Sequence, residues 1–339
     1  MDSNLYHAAE QLVQRDGGSS RIAQLYALAV SPCQPQAVHA RLRNGLLLVA
    51  ALLLASGLIF WIAANWQDQT RMFKLGLIEG ALALSLGAAL LVPALRMAGL
   101  LCATLVLGGL LAFVGQTYQT GADAWQLFAV WAALSIIWVG LARSDVLWTL
   151  WIAIAATGVA MWFGRLKMWD LWFRAPDAVQ REIVCMALLL ALAAVPWAVS
   201  RIAALRLPQG MGWWSHRLAL GLALAAWVLL GILDLFDERV SSQGIGFAVS
   251  GALIAFALWV SHQSRLKDFS SLCLCVLAAN VWLIALAVRL MLQNLEHDWL
   301  GMLFLLTVLG LGCLGGSVTV LLAVQRRWRA SAAAQGGAQ

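Results

Sequence analysis

Ten apolar stretches of roughly 18 to 25 residues, separated by short charged gaps, occupy most of this chain, and each is long enough to cross a hydrocarbon core of about 30 Å as a helix. A backbone inside lipid must satisfy its own amides and carbonyls, so such runs cross as α-helices. The expected fold is all-α: a polytopic helical membrane protein of about ten transmembrane helices with a short cytosolic helical N-terminal segment.

The spans read as 44–64, 72–92, 97–115, 124–142, 145–163, 179–199, 216–233, 244–261, 270–290 and 300–324. This divides the chain into a cytosolic helical segment (1–43), a first transmembrane bundle (44–163), an outer interfacial helix or loop (164–178), a second transmembrane bundle (179–324) and a cytosolic disordered tail (325–339). Charged residues make up 11% of the chain. Soluble domains carry about 25%, so a water-soluble fold of this size is excluded.

The net charge of +6 would suggest nucleic acid in a soluble protein. Here the basic residues sit in loops and tails, so they report membrane orientation and no nucleic-acid partner is expected. With the N-terminus inside, 14 Lys and Arg residues fall on the inner side and 8 on the outer. Both termini are therefore expected in the cytoplasm. Of the 18 Trp residues, Trp61, Trp66, Trp125, Trp148, Trp162, Trp197, Trp213, Trp214, Trp299 and Trp328 lie near span ends. An amphipathic ring there anchors at the headgroup level.

The first 43 residues lack the signal-peptide layout of a basic region directly before a short apolar core. Short helices are expected over 4–16 and 20–30, with Pro32 and Pro35 breaking the second from a basic approach to the membrane. In 164–178, Leu166, Trp169, Trp172 and Phe173 fall near one helical face, which suggests a helix lying in the outer headgroup layer or a loop held by its tryptophans.

Two local patterns stand out. Ile62-Ala63-Ala64-Asn65-Trp66 closes the first span, followed by Arg71. Gly115-Gln116-Thr117-Tyr118-Gln119-Thr120-Gly121-Ala122-Asp123-Ala124-Trp125 bridges spans three and four, followed by Trp131 and Arg143-Ser144-Asp145. Together with the helical N-terminal region these resemble the bacterial predicted membrane protein family called domain of unknown function 2157, over about residues 5–160. The resemblance implies a bacterial inner-membrane protein with a soluble N-terminal helical segment and many spans. It also implies action beside other membrane proteins. It implies no activity.

Physically, Asn65 can bond the last carbonyls of span one while Trp66 anchors its end. Gln116, Tyr118, Asp123 and Trp125 form a polar and aromatic strip. Both patterns can be read as helix caps with interfacial anchors, or as parts of an outward-facing pocket or partner surface.

Glu79 falls about seven residues into span two, roughly 10 Å below its outer end, where a carboxylate is costly and usually faces a bundle interior, a wet cavity or a partner. Gly76 and Gly80 flank it at a spacing that admits close helix approach. Arg289, near the outer end of span nine, has compatible depth to pair with it. Asn280 lies near the middle of span nine, where a polar side chain typically bonds across helices. Gly310, Gly312, Gly315 and Gly316 suggest close packing of span ten. The six cysteines show no disulfide or zinc spacing, and Glu296-His297-Asp298 is the sole local acid–histidine cluster. No cofactor and no metal site are expected.

Known catalytic motifs are absent from the sequence, which favours a noncatalytic protein over an enzyme. Three classes stand: an organising, sensing or partner-binding membrane protein; a transporter or channel using Glu79 in a polar cavity; and an intramembrane enzyme acting on lipid or glycan. The first fits best, with the lipid bilayer and other membrane proteins as partners.

Overall fold

The computed structural model describes residues 35–118, 121–164, 178–208, 210–236, 244–263, 268–294 and 299–336. The helices expected over 4–16 and 20–30, most of the 164–178 segment, and Glu296-His297-Asp298 lie outside them. Among the described residues the structure is helical with no strand, and ten helices are long and apolar enough to cross a membrane. They are α1 (Pro35–Ala64), α2 (Arg71–Leu91), α3 (Arg96–Tyr118), α4 (Ala124–Ala142), α5 (Asp145–Phe163), α6 (Ala178–Arg201), α7 (Trp213–Phe236), α8 (Ile245–His262), α9 (Phe269–Asn294) and α10 (Trp299–Gly336).

Two helices overrun the expected limits. α1 starts at Pro35 and passes through Arg41 and Arg43 before reaching the apolar run. α10 continues through Arg326, Arg327 and Arg329 to Gly336, so 325–336 is helix and not the disordered tail that its polarity suggested. The cause is the same at both ends. Hydropathy marks where lipid ends, whereas a helix ends where its hydrogen-bond ladder does.

The chain splits into two compact units, Met1–Phe113 and Val114–Gln339. This moves α4 and α5 out of the first bundle expected over 44–163. Both belong to the second unit because α5 packs on α4, α6 and α7.

In the first unit, α2 and α3 form a hairpin through a 3₁₀ turn at Pro93–Leu95. The approach is close: a Cβ on Gly99 would lie 2.7 Å from the Ser85 carbonyl oxygen and 3.0 Å from the Ala89 Cβ. Only glycine permits that contact. On another face of α3, a Cβ on Gly109 would lie 3.1 Å from Ile59 of α1.

In the second unit α7 is central and packs against α5, α6, α8 and α9, while α10 rests on α9. The core contains Trp227, Ala219, Ala223 and Leu224 of α7 with Ile152, Met186, Ile254, Ala257, Cys275 and Ala278. The many small residues have a physical reason. Lipid is as apolar as a leucine side chain, so helices associate through close packing and hydrogen bonds more than through burial of apolar area. Trp227 is fully buried, and its indole donates to the Met186 carbonyl at 3.2 Å. Trp148 is also buried, edge-on to Trp151 at 5.5 Å. This corrects its assignment as a headgroup anchor: its ring points into the bundle although its position is near a span end.

Candidate functional site

The turn between α1 and α2 is held by its own side chains. Asn65 donates from Nδ2 to the Trp61 carbonyl at 2.8 Å, and its amide donates to the same oxygen at 3.0 Å. Thr70 caps α2 by accepting from the Phe73 amide at 3.3 Å. Lys74 is buried, donates to the Trp66 carbonyl and places its ammonium 4.2 Å from the centre of the Trp66 ring. Trp66 packs on Phe113 at 5.7 Å. Lys74 stands in the first turn of α2, at the start of the second span. Its role depends on the chain folding back eight residues to Trp66, which no helical period reveals.

Beyond that turn α2 has two unlike faces. Lys74, Ile78 and Ala89 are buried on one. At about 100° per residue, Gly76, Glu79, Gly80, Ala83 and Gly87 fall on the opposite side. Glu79 is exposed there and has no hydrogen bond or ion pair among the described residues. Cβ atoms built on Gly76, Gly80 or Gly87 would meet nothing within 4 Å.

The second sequence pattern lies at the end of α3 and the start of α4. Gln116 and Tyr118 are exposed on the last turn of α3. Asp123 precedes α4 and its amide donates to Gln126 Oε1 at 3.2 Å, one arm of a capping box. Trp125 is partly buried, and its indole nitrogen is covered without a hydrogen-bond partner among the described residues.

Of the other predicted positions, Asn280 is buried. It forms a reciprocal pair with Ser317 of α10, donating at 2.8 Å and accepting at 3.1 Å. Arg289 is half-buried, with its guanidinium carbon 6.0 Å from the centre of the Phe236 ring. Gly310, Gly312, Gly315 and Gly316 meet no neighbour that a Cβ would touch, so the close packing expected of them is not made by the described residues.

Sequence reasoning missed the main polar network. In the second unit three successive helices have the third amide of their first turn held by an aspartate. Asp145 of α5 accepts from Trp214 and Ser215 of α7 at 2.9 and 3.1 Å. Asp234 of α7 is buried and accepts from Phe247 of α8 at 3.1 Å. Asp268 caps its own helix α9 through Ser271, amide at 3.0 Å and hydroxyl at 2.7 Å. A carboxylate there satisfies orphan donors and faces the positive end of the helix dipole.

Asp268 also binds Arg217 bidentately. Burial pushes its carboxyl upward, but hydrogen bonds from Arg217 and Ser271 and the Arg217 charge outweigh this and bring it to about 2. Glu182 of α6 is a further buried acid. The signal available in sequence was an acidic residue within a turn of a span end, without any indication of its partner.

Chemically, Asp145, Asp234, Asp268 and Asn280 tie one helix to another, whereas many small hydroxyls bond within their own helix. The hydroxyls of Ser56, Ser85, Thr104, Ser135, Thr149 and Thr157 each return to the carbonyl four residues earlier, at 2.7 to 2.8 Å. Among the described residues no group of three His, Cys, Asp or Glu side chains is arranged to hold a metal ion.

No curated protein and no solved structure matches this chain. The model of the family described as predicted membrane protein (DUF2157) does match, over residues 8–148. That stretch contains both sequence patterns, and with ten apolar helices it identifies a multi-pass membrane protein whose N-terminal two-fifths carries the DUF2157 family pattern.

Proposed function

We propose that this chain is a noncatalytic membrane protein that engages a transmembrane helix of another protein through α2. The observation that carries the reading is the pair of opposed faces on α2: one buried around Lys74, Ile78 and Ala89, the other presenting Glu79 between open glycines. A carboxylate on a bare helix within a span costs about 2.5–3.5 kcal/mol on insertion scales. A neighbouring helix that brings a donor removes that cost, and glycines let its backbone come close.

The rest of the polar inventory supports a structural role. The aspartates cap helices, Asn280 pairs with Ser317, and hydroxyls return to their own carbonyls. The excess of basic residues on one side supports placement in the bacterial inner membrane with both termini in the cytoplasm. The N-terminal segment is then available to report the state of the membrane complex to the cytosol.

The test is co-purification of full-length tagged protein from native membranes, comparing Glu79→Gln, Glu79→Ala and Gly76→Leu with Gly80→Leu. A partner recovered in fixed ratio should be lost with the leucine pair and reduced with Glu79→Ala, while Glu79→Gln retains more because an amide still hydrogen-bonds. Unchanged recovery across all variants refutes the reading. Solute flux in vesicles that depends on Glu79 would point to a transporter.

A further inference from the structure

At one end of the second unit, where α4 turns into α5, α6 into α7 and α8 into α9, the described carboxylates are already engaged. Asp145 holds two α7 amides, and Asp268 holds Arg217 and Ser271. Arg143, Arg201 and Arg206 are exposed at the same end, and none has an ion pair among the described residues.

Their gathering is built into the fold. Arg143 ends α4 with φ 49°, the single non-glycine positive φ among the described residues. From there its Nε donates to the Ala204 carbonyl at 3.0 Å. Ala204 lies in an ordered turn where the amides of Leu205 and Arg206 both donate to Ile202, at 3.0 and 2.9 Å. Leu205 packs against Gly140, 3.1 Å from where a Cβ would sit. In sequence Arg201 and Arg206 flank the residue whose carbonyl Arg143 grips, and among the described residues the terminal nitrogens of Arg143 make no hydrogen bond.

The surroundings are amphipathic. Trp197 and Trp214 are exposed at the ends of α6 and α7, with Arg201 5.1 Å from the first ring centre and Arg217 5.6 Å from the second. Ile202, next in sequence to Arg201, is exposed as well. Tryptophan at a span end sits at headgroup depth, so these guanidiniums lie where lipid phosphates do. A planar guanidinium binds a phosphate through paired hydrogen bonds.

We propose that the α6–α7 turn, with Arg143, Arg201 and Arg206, is a binding site for the headgroup of an anionic phospholipid. The exposed apolar groups beside the cations favour a lipid over a soluble anion: Ile202 and the two indoles lie against glycerol and acyl chains while the arginines meet the phosphate. Diffuse attraction between basic loops and anionic lipid is general. The claim here is a defined site.

The test is native mass spectrometry of the full chain in detergent with equal phosphatidylglycerol and phosphatidylcholine. The wild type should retain phosphatidylglycerol with a preference of about fivefold or more, and R143Q/R201Q/R206Q should abolish the preference. R326Q/R327Q/R329Q removes the same charge from the end of α10 and should leave it intact. Excess inorganic phosphate should not displace the lipid. The proposal fails if the first triple variant keeps the wild-type preference, if the α10 triple loses as much, or if inorganic phosphate strips the lipid. Should R143Q/R201Q/R206Q not accumulate, R201Q/R206Q decides, because neither side chain hydrogen-bonds the main chain of the turn. It should lose about threefold in preference, and an unchanged preference overturns the site.

Discussion

Arg217 holds Asp268 through two parallel hydrogen bonds, Nη2 to Oδ1 at 2.6 Å and Nε to Oδ2 at 2.9 Å, while Ser271 bonds the same carboxylate from the first turn of α9. One aspartate therefore joins α7 to the start of α9. Its folded-state pKa of about 2 lies below the ordinary 3.8. The stabilisation it gives is fully present above about pH 4 and is lost as pH falls towards 2. Thermal unfolding of the full chain in detergent across that window should show the loss. Asp268→Asn should cost about 2–4 kcal/mol at pH 7 and flatten this part of the profile. An unchanged profile in the variant would show that Asp268 is not the titrating group.

The Asn280–Ser317 pair should be worth little, because an unfolded helix in the membrane also finds partners. Asn280→Ala is expected to cost about 0.6 kcal/mol, and at most about 1.7. A double-mutant cycle with Ser317→Ala should assign most of that cost to the coupling between the two side chains. Additive single effects would mean that the hydrogen bonds seen between α9 and α10 contribute nothing measurable.

Two glycines should respond oppositely to alanine. A Cβ on Gly251 would lie 2.6 Å from the Trp282 ring, which is stacked on Phe247 at 4.2 Å and bonded to the Phe247 carbonyl. The ring has no room to retreat, so Gly251→Ala should destabilise by about 1–3 kcal/mol. Gly310 faces open space. Gly310→Ala should be neutral or raise helix stability by up to about 1 kcal/mol. Unfolding midpoints of the two variants in the same detergent test this.

Lys74 should contribute measurably to the stability of the α1–α2 turn. Lys74→Met keeps the bulk but loses the bond to the Trp66 carbonyl and the contact with its ring. A loss of about 1–2 kcal/mol is expected. The readout is the unfolding midpoint, with protease cleavage at the α1–α2 turn as the local probe. Unchanged cleavage would mean that Asn65 and Thr70 hold the turn without it.

The spans were legible in the sequence because a long uncharged apolar run has one physical solution in lipid. So was the family pattern, and Asn65 could be assigned to a helix end from its position after Ala64. The extents of α1 and α10 were not legible, since Arg41, Arg43, Arg326 and Arg327 are ordinary helix residues once outside the hydrocarbon. Nor were the aspartates. Asp234 bonds an amide 13 residues away and Asp145 one 70 residues away, so their roles appear only once helices are neighbours. Glu79 was singled out for its cost in lipid, and that cost remains the strongest pointer in the first unit, whose own packing leaves it exposed.

The central claim is that a partner helix covers the Glu79 face of α2. A photo-crosslinking residue at Ala83, on that face, tests it most directly in intact membranes, with one at Leu311 of α10 as the lipid-facing comparison. The account predicts an intermolecular protein adduct from Ala83 that disappears with Glu79→Ala, and lipid adducts from Leu311. Adducts from Ala83 to lipid alone, or only within the same chain, would contradict it.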